Sequence, residues 1–286
     1  MENYDYDLLV VGSGPGGQEA AITAAKLGKS VALIERKPYV GGVSLQTGTI
    51  PSKALREAAY VTSRSASLGM RRIIQTRAAS EPGFLSDVIG QKDSVVDRKE
   101  SQILERLMTV GVILIPGEAG FEDAHTLRVT SPLGDQQLLS AAVIVLATGS
   151  RPRRPASVPF DKERVLDSTS LLKCRRLPSS LIVVGGGVIA CEFATIFASL
   201  GSEVTLVDSH AQPLDYLDTD IVSRLMEDFD DMNINLRMNT RISQIERSND
   251  GVSVITEQGD TLQTAVPVSY THLRAHETRA LISNAD

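Results

Sequence analysis

The stretch that decides the fold is YDLLVVGSGPGG, residues 6–17, followed by the run QEAAITAAKL at residues 18–27. Its first six residues are mostly apolar and too few for a typical helix, so the pattern predicts a buried strand. The glycines then break the strand, and the alanine-rich run favours a helix that ends at Gly28. Residues 30–34 (SVALI) predict a second strand that closes on Glu35. Strand, glycine turn, helix and strand in this order form a βαβ unit of a parallel sheet.

The same arrangement occurs a second time in the chain. Residues 181–184 (LIVV) precede the turn GGGVIA at residues 185–190, and after an apolar helical run a strand is predicted at 203–207. In both units the acid that closes the second strand, Glu35 or Asp208, lies 23 residues after the first glycine. Two copies of one unit with equal internal spacing indicate two related domains.

Both glycine turns fit the motif G-x-G-x-x-G/A, which binds dinucleotides. The first glycine makes the tight turn, the second lets the backbone approach a pyrophosphate, and the third position lets the helix pack against the strand. These positions are Gly12, Gly14 and Gly17 in the first unit and Gly185, Gly187 and Ala190 in the second. The phosphates lie at the helix N-terminus, where N–H groups point at them. Glu35 and Asp208 are the candidates for binding ribose hydroxyls, so the sequence predicts two dinucleotide-binding modules.

The nucleotide preferred at the second unit stays open. Asp208 favours NAD, because a carboxylate at this position repels the 2′-phosphate of NADP. Ser209 and His210 follow it, and a hydroxyl with an imidazole is compatible with a bound phosphate. A solvated loop histidine is an equal alternative for His210.

The composition excludes several other classes of protein. The chain has 286 residues, a net charge of −6, 42% hydrophobic and 22% charged residues, which is typical of a globular protein of two domains. An acidic chain without a basic block is a poor partner for nucleic acid, and no apolar run approaches the roughly 20 residues of a membrane helix. Residues 1–7 are acidic and lack the order of a signal peptide, so we expect a cytoplasmic protein. Cys174 and Cys191 are expected to be inert thiols, and no metal site is predicted because His125 and His210 have no partners at ligand spacing.

A third motif identifies a family. Residues 41–56 read GGVSLQTGTIPSKALR, with YDYDLLVVGSGPGG before them at 4–17 and LATGSRP after them at 146–152. Together they resemble the two-dinucleotide flavoproteins, the class-I pyridine nucleotide-disulfide oxidoreductases, from about Tyr4 to Ala265. That family includes dihydrolipoamide dehydrogenase, glutathione reductase and soluble pyridine nucleotide transhydrogenase. The resemblance implies an α/β fold with two Rossmann-like domains of the three-layer ββα type, one for FAD and one for NAD(P).

The motif differs from that of disulfide reductases at the positions that carry electrons. In those enzymes two cysteines, five positions apart, relay electrons from the flavin, and the matching residues here are Ser44 and Thr49. Hydroxyls cannot form and break an S–S bond, so a second nicotinamide is the expected electron acceptor. The run GTIPSKALR is most similar to the soluble transhydrogenase branch, in which the second cysteine is a threonine. Ser44 departs from that branch, which often keeps the first cysteine.

The resemblance also implies the reacting pair and further cofactor contacts. In the family the residues matching Lys53 and Glu192 lie together near the reactive flavin nitrogen, where a cation favours the anionic reduced flavin. Lys53 and Glu192 are therefore the predicted catalytic residues. The predicted cofactor-binding residues are Gly12, Ser13, Gly14, Pro15, Gly16, Gly17, Glu35, Arg36, Gly41, Gly42, Ser44, Gly48, Thr49, Lys53, Ala119, Thr148, Gly149, Gly185, Gly186, Gly187, Val188, Ala190, Asp208 and Ile242.

The domains are predicted at residues 1–155 (FAD-binding) and 156–266 (NAD(P)-binding, incomplete), with a tail at 267–286. Family members continue with one more strand, a return to the FAD domain and a dimerisation domain. The tail begins PVSYTHLRAHET and resembles the translation of a transposon-end sequencing adapter, so we predict an artefact and a chain truncated before the dimerisation domain. A missing strand would leave an open sheet edge. We therefore expect weak FAD binding, marginal stability and no homodimer, although full-length family members form homodimers.

The expected function is FAD-dependent hydride transfer between NADPH and NAD⁺. The alternatives are a thiol-independent NAD(P)H diaphorase, an oxidoreductase similar to dihydrolipoamide dehydrogenase, and an inactive nucleotide-binding fragment. A dithiol-disulfide oxidoreductase is the least favoured, because Ser44 and Thr49 carry no sulfur.

Overall fold

A computed structural model describes residues 4–64, 84–247, 251–264 and 268–270. Its contacts divide the described residues into two compact units, one within residues 1–50 and 94–151 and the other within 51–93 and 152–270. Among the described residues, no helix is long and apolar enough to cross a membrane.

The first half of the chain contains the first predicted βαβ unit. The elements are β1 (Tyr6–Val11), α1 (Pro15–Lys26), β2 (Val31–Glu35), α2 (Gly42–Gln46), α3 (Thr49–Arg64), α4 (Phe84–Thr109), β3 (Ile113–Pro116), β4 (Glu118–Phe121), β5 (Thr126–Thr130) and β6 (Gln136–Leu146). The strand order is β3-β2-β1-β6-β5-β4. The second half of β6 runs parallel to β1, and its first half runs antiparallel to β5. One long strand therefore joins a parallel layer to an antiparallel layer.

The buried strand β1 explains why this unit has three layers. Successive side chains of a strand point to opposite faces. Leu8 and Val10 pack in a cluster with Ile22 of α1, whereas Leu9 packs in another with Val129 of the antiparallel strands. The apolar side chains of β1 are therefore covered by helices on one face of the sheet and by strands on the other, as the three-layer ββα fold requires.

The second half repeats this plan around the second glycine turn. Its elements are β7 (Val165–Leu166), α5 (Ser168–Leu171), β8 (Ser180–Val184), α6 (Val188–Ser199), β9 (Glu203–Val207), α7 (Thr219–Asp231), β10 (Asn235–Arg237), β11 (Ile242–Arg247), β12 (Val252–Thr256), β13 (Thr261–Thr264) and β14 (Val268–Tyr270). A parallel sheet has the order β10-β9-β8-β14-β7, and β11, β12 and β13 form a separate antiparallel sheet. Leu181 and Val183 of β8 pack with α6, whereas Ile182 and Val184 pack with Val254 of the antiparallel sheet.

The sheet edge that the sequence left open beside β8 is filled. Val268 pairs with Ile182 of β8 and with Val165 of β7, and Tyr270 pairs with Val184. The expectation of a missing strand at this position is therefore wrong, because three residues of the supposed tail suffice to complete the parallel order. The rest of that tail, residue 267 and residues 271–286, lies outside the described residues.

Both crossover helices begin earlier than predicted. We expected α1 to start at Gln18, but it starts at Pro15, whose fixed φ suits the first turn of a helix. Likewise α6 starts at Val188, directly after Gly187, the second glycine of the motif. The helix N-termini therefore lie within the glycine turns.

Candidate functional site

The first glycine turn accepts no side chain at two of its glycines. Gly12 has a φ of +104°, and a Cβ there would lie 2.3 Å from the carbonyl oxygen of Ala147. A Cβ at Gly17 would lie 1.9 Å from the carbonyl oxygen of Gly12. Gly14 is different, because a Cβ there would meet nothing within 4 Å. The turn is thus closed towards the protein and open beside Gly14, where a ligand would approach.

The N-terminus of α1 adds hydrogen-bond donors to this open side. Gly14 is its N-cap residue, and within the described part of the chain no side chain caps it. The first N–H groups of a helix have no partner inside the helix and carry a partial positive charge. A dinucleotide pyrophosphate has the charge and the acceptors that such a terminus binds.

Glu35, at the end of β2, is fixed against the same turn. Its Oε2 accepts hydrogen bonds from the backbone N–H of Ser13 (3.0 Å) and from Ser13 Oγ (2.6 Å), and its Oε1 accepts one from the N–H of Lys37 (2.9 Å). A carboxylate oxygen has about two acceptor sites, so Oε2 is filled by Ser13 and Oε1 retains one site for a ribose hydroxyl. The neighbouring Arg36 forms an exposed ion pair with Glu118 at 3.6 Å.

The structure brings other predicted residues to this turn. The N–H of Gly41 donates to the carbonyl oxygen of Ser13 (3.1 Å) and lies 3.2 Å from Ser13 Oγ. A Cβ at Gly42 would lie 2.8 Å from Cα of Gly14, so the two loops touch through glycine backbone. Thr148 follows β6, and its Cα would lie 3.5 Å from a Cβ at Gly12.

The remaining predicted residues of this unit lie further along the chain. Ser44 is on α2, and a Cβ at Gly48 would lie 2.9 Å from the carbonyl oxygen of Val43. Ala119 is on β4 in register with Val129 of β5. The first crossover as a whole has the geometry of a dinucleotide site, because it offers the N–H groups of a helix N-terminus, an open glycine face and a fixed carboxylate.

The second glycine turn has the same construction. Gly185 has a φ of +111°, and Gly187 is the N-cap of α6, with no capping side chain among the described residues and open space where a Cβ would project. Ala190, at the third motif position, is fully buried against the sheet. Gly186 lies close to the acid of the motif, since a Cβ there would lie 3.2 Å from Cγ of Asp208. This crossover too has the geometry of a dinucleotide site.

Asp208 is buried and already holds several donors. Its Oδ2 accepts the N–H of Gly186 at 2.5 Å, and its Oδ1 accepts the N–H of His210 at 2.7 Å. The ring Nδ1 of His210 lies 2.5 Å from the same Oδ1, and its Nε2 lies 3.7 Å from Oδ2 of Asp215. The hydrogen bond and the negative charge of Asp208, with a smaller contribution from Asp215, raise the pKa of His210. The sequence did not predict this pairing of His210 with Asp208 and Asp215, and no cluster of metal ligands occurs in the described ranges.

A cleft of about 350 Å³ opens beside this acid. Its lining includes Gly185, Asp208, Ser209, Arg241, Ile242 and Ser243. Two backbone hydrogen bonds of 2.8 Å, from Asn239 to His210 and from Thr240 to Asp208, tie the loop after β10 to the loop after β9. Ile242 was predicted to contact the nucleotide. Arg241 and Ser243 were not predicted, because no motif marks them and because the strand β10, which precedes them, was missed.

Lys53 and Glu192, 139 residues apart in sequence, form an ion pair. Lys53 Nζ lies 2.6 Å from Glu192 Oε1, with side chains 55% and 13% exposed. Leu55 and Ala59 of α3 pack in the same apolar cluster as Phe193 of α6, which holds the two helices side by side. The predicted pair is thus a real juxtaposition of a mostly exposed cation with a mostly buried carboxylate.

The two cysteines are free, and neither belongs to a redox pair. Burial raises the pKa of Cys191 to about 12 and also raises the pKa of Cys174. Because the thiolate is the reactive form, both side chains are poor nucleophiles at neutral pH.

This burial predicts that Cys191 resists alkylation. With iodoacetamide at about pH 8 the thiolate fraction of a group with a pKa of about 12 is on the order of 10⁻⁴, so native labelling is expected to be negligible. Peptide mass spectrometry checks this, with the denatured chain as the control that labels fully. Labelling of native Cys191 at the rate of a free thiol would contradict the burial.

Comparison with known proteins supports the family that the sequence motifs indicate. The profile of the pyridine nucleotide-disulphide oxidoreductase family matches residues 6–275. Soluble pyridine nucleotide transhydrogenases of Mycobacterium bovis and Pseudomonas putida are each 38% identical over 276 and 271 residues, which cover 96% and 92% of this chain. The chain spans 58% and 56% of the length of these relatives.

Solved structures agree with the fold. RclA of Escherichia coli, a HOCl-induced flavoprotein disulfide reductase solved as a Cu(II) complex, superposes with a TM-score of 0.78 at 27% identity, covering 95% of this chain and 57% of that one. LpdA of Mycobacterium tuberculosis gives a TM-score of 0.79 at 27% identity, covering 92% and 57%.

Proposed function

Because this chain belongs to the pyridine nucleotide-disulphide oxidoreductase family, we propose that it transfers hydride between NADPH and NAD⁺ with bound FAD and without a redox-active disulfide. One observation carries the proposal: both dinucleotide crossovers are intact, but Ser44 and Thr49 stand where a disulfide relay needs sulfur. Relatives named transhydrogenase support it at 38% identity.

The first crossover is the proposed FAD site. Members of the family use FAD and NAD(P). The N–H groups at the start of α1 would bind the pyrophosphate, and Glu35 would accept hydrogen bonds from the ribose. When bound, FAD supplies a centre that accepts a hydride from one nicotinamide and returns it to another.

The second crossover is the proposed site for the exchanging nucleotide. The start of α6 follows β8, and the cleft is lined by Gly185 and Asp208, which follow β8 and β9. The N–H groups of α6 would bind the pyrophosphate, and the cleft would receive the adenosine. A single site that first takes NADPH and then NAD⁺ requires release of the first product. We therefore expect ping-pong kinetics.

Lys53 and Glu192 are the proposed reacting pair. The cation of Lys53 would stabilise negative charge that develops during hydride transfer, and Glu192 holds the ammonium group through its 2.6 Å contact. This role depends on the family resemblance, which matches the two residues to a lysine and a glutamate beside the flavin.

Disulfide reduction is a second candidate, because the solved relative RclA is named a disulfide reductase. Its chemistry requires a dithiol near the flavin. Neither Cys174 nor Cys191 matches the two positions of that dithiol, and burial keeps both in the thiol form. The geometry therefore favours transfer between nucleotides.

A steady-state assay separates these activities. FAD-saturated chain is supplied with NADPH and, in parallel, with a thionicotinamide analogue of NAD⁺, with lipoamide, with glutathione disulfide or with a quinone. We expect fast reduction of the NAD⁺ analogue and no reduction of the two disulfides. Turnover with a disulfide as the best acceptor would overturn the proposal, and turnover with quinone alone would indicate a diaphorase instead.

A further inference from the structure

We propose that His210 controls the choice between NADP(H) and NAD(H) at the second crossover and makes that choice depend on pH. The inference depends on the proposed function, which assigns this crossover to NAD(P). It goes further by naming the residue that decides which nucleotide is preferred.

Asp208 already accepts several hydrogen bonds from the protein. An acid at this motif position selects NAD by accepting the ribose 2′-hydroxyl and by repelling a 2′-phosphate. Here the carboxylate is buried and accepts from the N–H of Gly186 and from both the N–H and Nδ1 of His210. A carboxylate held by these donors has fewer free acceptor sites for a ribose hydroxyl than an exposed one.

The charge beside Asp208 depends on the protonation of His210. When the imidazole of His210 is protonated, it forms an ion pair with Asp208 whose net charge is zero, and the repulsion of a 2′-phosphate is reduced. When the imidazole is neutral, the pair carries one negative charge and repulsion returns. One proton on His210 therefore changes the charge beside the cleft by one unit.

Several charged groups act on the protonation of His210. Asp208 lies at the end of β9 and Asp215 lies in the same loop, and both favour the protonated ring. Arg241, after β10, opposes protonation more weakly. The ring is 53% exposed, so it exchanges protons with solvent.

The cleft beside Asp208 would receive the 2′-phosphate. Arg241 lines it together with the hydroxyl residue Ser209. The hydroxyl of Ser243, which also lines the cleft, is already used, because it donates to the carbonyl oxygens of Ile255 and Thr256. Guanidinium and hydroxyl groups are good phosphate partners. The backbone hydrogen bonds from Asn239 to His210 and from Thr240 to Asp208 hold this loop beside the acid. The cleft thus combines phosphate donors with two acidic residues, Glu257 and Asp208, and protonated His210 cancels the charge of the second.

The test is the binding of two nucleotide fragments to the whole chain. Isothermal titration gives the affinities of 2′,5′-ADP and 5′-AMP from about pH 6 to about pH 8.5. In the wild-type chain we expect the preference for 2′,5′-ADP to rise about fivefold as the pH falls across the titration of His210. Protonation of the 2′-phosphate, whose second pKa is about 6, acts in the opposite direction.

The matched control is His210→Gln, which keeps a donor for Asp208 but carries no titrating charge. Its preference for 2′,5′-ADP is expected to stay flat or fall as the pH falls, following the phosphate alone. Asp215→Asn is a second variant: it removes a carboxylate from His210 and should move the wild-type transition to lower pH. Circular dichroism verifies that each variant is folded.

The outcomes are separable. Opposite pH trends in wild type and His210→Gln support the inference, as does the shift with Asp215→Asn. Equal trends in wild type and His210→Gln overturn it while leaving nucleotide binding intact. Failure of both fragments to bind the wild-type chain would overturn the proposed function itself, and the inference with it.

Discussion

Gly17→Ala is expected to lower the thermal unfolding midpoint of the chain by about 10 °C, through a loss of several kcal/mol. The new Cβ would lie 1.9 Å from the carbonyl oxygen of Gly12 and 3.2 Å from Cβ of Ala147. The nearest atom is backbone, so no side chain can rotate away and α1 must shift from β1. Loss of FAD binding should accompany the shift, because the helix N-terminus moves with the helix.

Gly16→Ala is the matched control for this prediction. Gly16 is the preceding residue of the same helix, is exposed, and has open space where a Cβ would project. Alanine is a better helix former than glycine by about 0.5–1 kcal/mol, so the midpoint should stay or rise slightly. Differential scanning calorimetry of both variants checks the pair. Equal midpoints for the two would show that the close approach of α1 to the turn is wrong.

Lys53→Ala is expected to slow reduction of the bound flavin by NADPH about 100-fold, the effect of removing one preorganised charge from a transition state. Glu192→Gln should have a smaller effect, because an amide still accepts a hydrogen bond from the ammonium group. Stopped-flow absorbance of FAD-saturated chain gives the rate, and the unfolding midpoint verifies that Lys53→Ala is folded.

Arg56→Ala is the control for charge. Arg56 is an exposed cation one turn further along α3, with no assigned role in the site. Its removal should change the rate less than twofold, since surface charges contribute little. A similar loss in Arg56→Ala and Lys53→Ala would mean that general electrostatics, and not the pair with Glu192, determines the rate.

Much of the fold was predictable because its signals are local. The run of residues 6–17 contains both a strand and the glycines that a tight crossover needs, and the second copy at 181–190 confirmed the pattern with equal spacing. Burial on both faces of β1 and β8 then follows from their apolar runs.

Five strands were missed, β4, β7, β10, β11 and β14, and three of them have weak signals. β7 has two residues and β10 has three, too few for a periodic pattern. β14 has three residues inside a segment that resembles unrelated sequence, and only its partners β8 and β7 identify it as a strand. Tertiary pairing, not local propensity, decides such elements.

The residues of the candidate site were likewise predictable only in part. The glycines, Glu35 and Asp208 were predicted, because their chemistry depends on fixed spacing within one βαβ unit. The pairing of His210 with Asp208 and the place of Arg241 in the cleft were not, since the first depends on a side-chain rotamer and the second on a loop from another strand. Structure is needed wherever a site joins residues that no motif links.

A chain without cysteine tests most directly whether electrons pass between the nucleotides without sulfur chemistry. The variant Cys174→Ala/Cys191→Ala is saturated with FAD, titrated anaerobically with NADPH, and then mixed with the thionicotinamide analogue of NAD⁺. We expect NADPH to bleach the flavin absorbance, and we expect that absorbance to return at the wild-type rate as the analogue is reduced. A flavin that NADPH cannot bleach, or one that passes electrons onward only when the cysteines are present, would contradict the proposed function.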